Sequence, residues 1–261
     1  MDIFQKIAES KSNNEAFWIV TVLGVAGSTP ARPGMKMLVY EDGSIFGTVG
    51  GGDIEKHIID KIVSVKPDEI AVWSYNLGTS NKTSEQTNME CGGIQDVIVE
   101  PVTGRNNLYI IGGGHCGMAL SSLASKADFA VTVIDNRSEW ANKDKHPDAI
   151  KCICADYNKV NEFIRFSEDS TYIVIMTHAH ENDEFVLKKI INEKYKYLGM
   201  IGSERKVNIV KQRMLNEGFS REKIDKLFSP IGLEIGSHTP VEIAISIMAQ
   251  IISIRYGKFN K

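Results

Sequence analysis

The stretch LYIIGGGHCGMAL, Leu108 to Leu120, constrains this chain more than any other. An apolar run ends on three glycines, and residues able to form a helix follow. Gly112, Gly114 and Gly117 stand in G-x-G-x-x-G spacing. That spacing alone is weak evidence. It gains weight from FAVTVID, Phe129 to Asp135, a second apolar run that closes on an acid about 20 residues further on. Each glycine then has a steric reason. Gly112 permits a tight turn, Gly114 lets a phosphate approach the backbone, and Gly117 lets helix and strand pack closely. Free amides at the helix start favour an anion. Asp135 would hold a ribose hydroxyl, or Arg137 two residues on would face a 2′-phosphate. The other reading is a sheet whose glycines serve packing only.

The remaining pattern after Asn107 fits such a sheet. IKCICAD, TYIVIMT and YKYLGMIG are further short apolar runs, and segments between most of the runs can form helices. Alternating strands and helices imply a parallel sheet covered on both faces. A last helix is signalled by Thr239 as cap, Pro240 at its first position, and a broad face of Ile243, Ala244, Ile247, Met248 and Ile251. Before Asn107 the elements differ. Ile3, Phe4, Ile7 and Ala8 predict one face of a short helix. FWIVTVLGVAG (17–27) predicts a buried strand, and KMLVY-EDG-SIFGTV a hairpin turning at Glu41-Asp42-Gly43. Gly50-Gly51-Gly52 precede a helix bearing Ile54, Ile58, Ile62 and Val65. EIAVWSYNL and IQDVIVEP predict two more strands around a long polar loop (78–90). The expected fold is α/β: a small mixed α/β N-terminal domain, 1–104, then a Rossmann-like doubly wound parallel-sheet domain with a C-terminal helix, 105–261.

Composition narrows the function. A net charge of −3 and a sequence pI near 6.1 leave no electrostatic footprint for nucleic acid or a membrane surface. Residues 1–104 carry 8 Lys/Arg against 14 Asp/Glu, and the remainder 22 against 19, so the second half suits an anionic small ligand better. No apolar run approaches the roughly 20 residues of a membrane span. The first residues, MDIFQKIAES, lack the pattern of a signal peptide. A cytoplasmic protein with reduced cysteines is expected. Cys91, Cys116, Cys152 and Cys154 do not form paired metal-ligand sets.

Three further polar sites stand out. His178, His180 and Asp183 follow a predicted strand, where open α/β sheets bind ligands. They could hold a divalent metal; lining a crevice or bonding loop backbone is the reading adopted, and no metal ligand is assigned. Gly202 and Ser203 open another helix and offer donors to an anion, with Arg205 and Lys206 adjacent. Cys152 and Cys154, two apart on a strand, are expected to be buried. Cys91 differs, because Gly92 and Gly93 behind it leave the sulfur unshielded and expose amides able to stabilise a thiolate or a ligand oxygen.

Taken in order, GSTPARPGMKMLV (27–39), GTVGGGDIE (47–55), ECGG (90–93), IGGGHCGMAL, VIDNR, MTHAHENDE, YLGMIGSERK and SPIGLEIGSHTPVEIAISI (229–247) resemble the XdhC/CoxI family of molybdenum-hydroxylase maturation proteins. The resemblance spans nearly the whole chain. It implies a chaperone that binds molybdenum cofactor (molybdopterin), supports its sulfuration by a cysteine desulfurase, and delivers it to an apo-enzyme of the xanthine dehydrogenase class. It also implies a homodimer. Cys91 falls on the family's Cys-Gly-Gly, where it would touch the cofactor or carry sulfur as a persulfide. Gly50, Gly51, Gly52 and Glu55 fall on its glycine-rich segment. Where some relatives carry a second cysteine this chain has Asp53, so a two-thiol scheme loses one partner. The rival is an NAD(P)-dependent oxidoreductase, which would explain the fingerprint and Asp135 but not the Cys-Gly-Gly turn.

Overall fold

The structure is a computed structural model and describes residues 1–76, 85–86 and 93–259, with Glu85, Gln86 and His180 in backbone only. The chain forms two compact units, Met1–Gly104 and Arg105–Lys261.

In the N-terminal unit six strands form one sheet in the order β3-β2-β1-β6-β4-β5: β1 Phe17–Gly27, β2 Lys36–Tyr40, β3 Ile45–Gly47, β4 Ala71–Asn76, β5 Glu85–Gln86 and β6 Gly93–Val102. All pairs are antiparallel except β4 with β5. The β2–β3 hairpin turns where Gly43 takes φ +81° and the Asp42 carboxylate accepts from Ser44 N at 2.9 Å. Helix α2, Asp53–Val65, packs Ile54, Ile58 and Ile62 against Val20, Val22, Met37 and Val97. Val65 falls on the same side but is the last residue of α2 and is exposed, contrary to the expected apolar face. A register shift between Val22 and Gly24 leaves Leu23 unpaired, and β1 then ends with Gly27 opposite Gly93.

Two other details of this unit depart from the sequence expectation. Helix α1, Ile3–Ser12, turns Ile3, Ile7 and Ser10 inward, with Ser10 Oγ 2.8 Å from Tyr40 Oη. Phe4 and Ala8 sit one residue further round and are exposed, Phe4 by 67%. Within the predicted loop, Glu85–Gln86 pairs with Tyr75 and Asn76 as a two-residue strand.

In the C-terminal unit five strands, all parallel, run β11-β10-β7-β8-β9: β7 Asn106–Ile111, β8 Phe129–Asp135, β9 Lys151–Cys154, β10 Ser167–Ile175 and β11 Tyr195–Met200. From β7 the chain builds outward to β9, then returns and builds the other way, so the winding reverses between β7 and β10. Successive residues alternate between two cores, which is why these strands read as continuous apolar runs. Tyr109 and Ile111 face a layer made by α4 (His180–Ile190), α5 (Glu204–Asn216), α6 (Arg221–Lys226) and a 3-10 helix, Tyr157–Phe163. Leu108 and Ile110 face α3 (His115–Lys126) and α7 (Pro240–Arg255). Helix α7 starts on a reciprocal cap between Thr239 and Glu242. Between β8 and β9 the connection is a series of turns rather than a helix. Cys152 is half-buried, but Cys154, the last residue of the outermost strand, is exposed, contrary to the expected burial. Among the described residues no helix is long and apolar enough to cross a membrane.

Candidate functional site

A cleft of about 540 Å³ opens where the winding reverses, beyond the carboxyl ends of β7 and β10. That position is the ligand site of open α/β sheets. Its walls come from Gly114, His115, Cys116 and Gly117 at the start of α3, from Arg137 and Trp140, from Met176, Thr177 and His178 after β10, and from Ile201 and Pro240.

The glycines at its base have separate tasks. Gly112 has φ +115°, and a Cβ there would lie 2.1 Å from Met176 O. A Cβ on Gly113 would lie 2.5 Å from Trp140 O, and one on Gly117 2.2 Å from Gly112 O. These three allow backbone to approach backbone. Gly114 differs: its φ is −63°, and a Cβ would meet nothing within 4 Å. Its open side is the cleft. Helix α3 also lacks both an acid in its first turn and a side-chain cap. Every other α-helix among the described residues has one or the other. No side chain of α3 itself therefore offsets the charge of its N-terminus.

Asp135 ends β8 but does not reach the cleft. It is 0% exposed. Oδ1 accepts from Arg137 N at 3.0 Å and Arg137 Nε at 2.9 Å; Oδ2 accepts from Gly113 N at 2.7 Å and Arg137 Nη2 at 2.9 Å. Burial pushes the carboxyl up, but the Arg137 side chain and the two amides outweigh it, and the group sits below the usual carboxylate range. The ribose-holding role expected for Asp135 is thus not the arrangement seen, because its four acceptor directions are already taken.

The turns after β8 are tied to the glycine turn by His146, only 1% exposed. Its Nε2 lies 3.1 Å from Gly113 O and 3.0 Å from Trp140 O, so Nε2 carries the proton, and Nδ1 is buried without a partner. Burial lowers its pKa and keeps the ring neutral. The tether holds Trp140, whose ring has His115 edge-on at 5.0 Å and the cations of Arg137 and Lys145 at 5.4 and 5.5 Å. Trp140, His146 and Thr177 were not legible as site residues. The only sequence signal was a tryptophan among charges just after the acidic end of a strand.

Of the other expected residues, His178 is exposed and lines the cleft, whereas His180 opens α4. Asp183 is buried, and its Oδ1 lies 2.8 Å from Thr177 N and 2.6 Å from Thr177 Oγ1, so it shapes the loop after β10. Gly202 and Ser203 precede α5, outside the walls named above; Ser203 makes no side-chain cap bond. Cys116 packs against the core beside the cleft, and burial pushes its thiol up.

In the N-terminal unit Gly50, Gly51 and Gly52 all have positive φ (+130°, +76° and +68°). Glu55 in the first turn of α2 organises them: Oε1 accepts from Val49 N at 2.9 Å, Gly51 N at 2.8 Å and the Thr48 hydroxyl. The buried Gln95 amide donates to Val49 O at 2.7 Å. Gly93 starts β6 so close to β1 that a Cβ would lie 2.8 Å from both Ala26 O and Ser28 O. Cys91 and Gly92 lie outside the described residues.

Two family models match this chain, one within each unit. Residues 108–251 match the family model described as the XdhC Rossmann domain, and residues 11–70 match that of the XdhC and CoxI family. The uncharacterized protein YqeB of Escherichia coli (strain K12) is 30% identical over 256 residues, 98% of this chain. A protein of Bacillus subtilis (strain 168) named as a probable xanthine dehydrogenase component is 27% identical over 161 residues, 61% of this chain. The chain spans about half the length of these curated relatives, 46% in each case. A crystal structure titled as a xanthine dehydrogenase from Bacillus halodurans shares the fold at 21% identity and TM-score 0.53, covering 100% of this chain and 97% of that one. With one family matched in both units, and its Rossmann domain matched over more than half the sequence, the chain belongs to the XdhC and CoxI family.

Proposed function

We propose that this chain is an accessory protein that receives molybdenum cofactor as cargo, supports its sulfuration and passes it to a hydroxylase of the xanthine dehydrogenase type. The cargo is an oxidisable pterin bearing a phosphate. The observation that carries the reading is the start of α3, where an open Gly114 and an uncapped, acid-free helix N-terminus face a cleft. Such a terminus takes a phosphate through backbone amides. The residues that would hold it are Gly114, His115, Cys116 and Gly117, with Trp140, Arg137 and His178 around the rest of the ligand. Among these, Cys116 and His178 offer sulfur and imidazole, groups of the kind soft metals accept.

In its NAD form the oxidoreductase alternative needs a dinucleotide anchored by its ribose. Asp135, spent on Arg137 and Gly113, weighs against it. The family resemblance assigns the sulfur-handling role to Cys91, the partners to an apo-hydroxylase and a cysteine desulfurase, and the assembly to a homodimer in the cytoplasm; these remain part of the proposal. Native mass spectrometry of anaerobically purified protein tests it. A bound pterin mass is expected, together with activation of an apo-hydroxylase when the loaded protein is added. Protein that carries NAD(H) and reduces or oxidises it, with no pterin bound, refutes the proposal in favour of the alternative.

A further inference from the structure

We propose that Arg137 is the specificity-determining residue of the cleft: by capping Asp135 it denies a ribose diol its acceptor, so the cleft selects phosphate-bearing heterocycles held without a grip on their sugar. The inference rests on the reading of this cleft as a phosphate-ligand site.

A carboxylate at the end of the second strand grips a ribose by accepting from its hydroxyls. It needs lone pairs that face the ligand. A carboxylate has about four acceptor directions. In Asp135 all four are filled, two of them by the Arg137 guanidinium through Nε and Nη2. Arg137 lines the cleft, and Asp135 stands behind it with no exposed surface. A hydroxyl arriving there can only accept from N–H donors and loses the charged bond it would donate to the carboxylate. The guanidinium is held from a second side as well, 5.4 Å from the centre of the Trp140 ring. Planar, doubly bonded arginine is suited to such a fixed cap, and lysine would not reproduce it. Gly112, Gly114 and Gly117 thus supply the turn of a dinucleotide site while Arg137 removes one of its anchors.

The test is calorimetry with NAD⁺ and NADP⁺ on wild-type protein, Arg137→Ser, Arg137→Lys and the double variant Asp135→Asn/Arg137→Ser. Freeing the carboxylate adds hydrogen bonds to a charged group, each worth roughly tenfold in affinity or more. NAD⁺ binding is therefore expected to rise at least about tenfold in Arg137→Ser, and by less both in Arg137→Lys and in the double variant, whose Asn amide oxygen accepts only a weaker, neutral bond. Thermal unfolding verifies that each variant is folded, and Arg137→Lys, which keeps the buried charge compensated, is the safer of the two. Wild-type protein that binds NAD⁺ as tightly as Arg137→Ser overturns the proposal. So does NADP⁺ binding that Arg137→Ser abolishes, because arginine would then be a ligand for the 2′-phosphate. The underlying reading is judged separately, by whether Gly114→Ala weakens molybdopterin binding at least about tenfold.

Discussion

Two alanine substitutions only two residues apart should have opposite consequences. In Gly112→Ala the new Cβ would lie 2.1 Å from Met176 O and 2.5 Å from its carbonyl carbon, at φ +115°. Both neighbours are backbone, so relief requires the ends of β7 and β10 to separate by about 1 Å, given that carbon and oxygen normally stay beyond 3 Å. That movement strains the bond from Met176 N to Ile111 O and the one from Gly112 N to Ile134 O, both 2.8 Å. Disallowed φ costs about 1–3 kcal/mol, overpacking about 1–3, and each of the two weakened hydrogen bonds up to about 1, for a total of about 2–8 kcal/mol. A domain with about 5–15 kcal/mol of stability is then marginal or unfolded. In Gly114→Ala the methyl enters open space at φ −63°, and the loss of glycine's freedom in the unfolded chain should add about 0.4–1 kcal/mol. The same methyl would stand where a phosphate oxygen meets the α3 amides. Binding of anaerobically prepared molybdopterin should fall at least about tenfold, a loss near 1.4 kcal/mol. Denaturant unfolding followed by near-ultraviolet circular dichroism reads the first effect, and pterin fluorescence reads the second. If Gly114→Ala destabilises as much as Gly112→Ala, or binds the pterin like wild type, the division between packing glycines and ligand-facing glycine is wrong.

Three other outcomes are expected. The Asp135 carboxyl is held low in the fold, so its contribution is complete above about pH 4, the unfolded value, and is lost as pH falls through the lower folded value. In Arg137→Ser burial prevails and the carboxyl rises, so acid unfolding should begin at higher pH than in wild type; parallel melting-temperature profiles against pH would contradict this. Glu55→Gln removes the charge that accepts from Thr48, Val49 and Gly51, at a cost of about 1–3 kcal/mol, and hydrogen exchange at Val49 and Gly51 should quicken. Iodoacetamide should modify the exposed Cys154 before Cys116 and Cys152, whose thiols burial pushes up; peptide mapping that finds Cys116 first would refute the geometry of the cleft wall.

Most of the fold was legible because its strands obey one rule each. In the C-terminal unit, burial on both faces makes short continuous apolar runs such as LYII and FAVTVID. Helix α7 announced both its start and its buried face. What failed was local. Helix α1 has four apolar residues in its first six positions, and sequence does not say which pair meets β2 and β3; Ile3 and Ile7 do. The connection between β8 and β9 holds its shape through His146 bonding two carbonyls, and a contact of that kind leaves no periodic trace. Cys154 has the apolar neighbours of a core strand, but strand order, which sequence did not reveal, puts it on the rim.

The site was legible to a different degree, and Asp135 and Glu55 explain why. Each stands beside a glycine-rich turn, and each matches a residue type that grips ligands in such places. A glycine turn exposes N–H groups that must be satisfied. The chain can satisfy them from outside, with a ligand, or from inside, with its own carboxylate, and the two solutions look alike in sequence. Glu55 takes three donors on one oxygen, and Asp135 takes four on two. Both are inside solutions. The distinction is made by the direction of lone pairs, which only coordinates reveal. At α3 the inside solution stops at Gly113, one residue before the helix cap, and the helix itself has neither first-turn acid nor side-chain cap. An anion from outside completes that electrostatic account, and this makes the cleft at Gly114, rather than the Glu55 loop, the place to seek the cargo's phosphate.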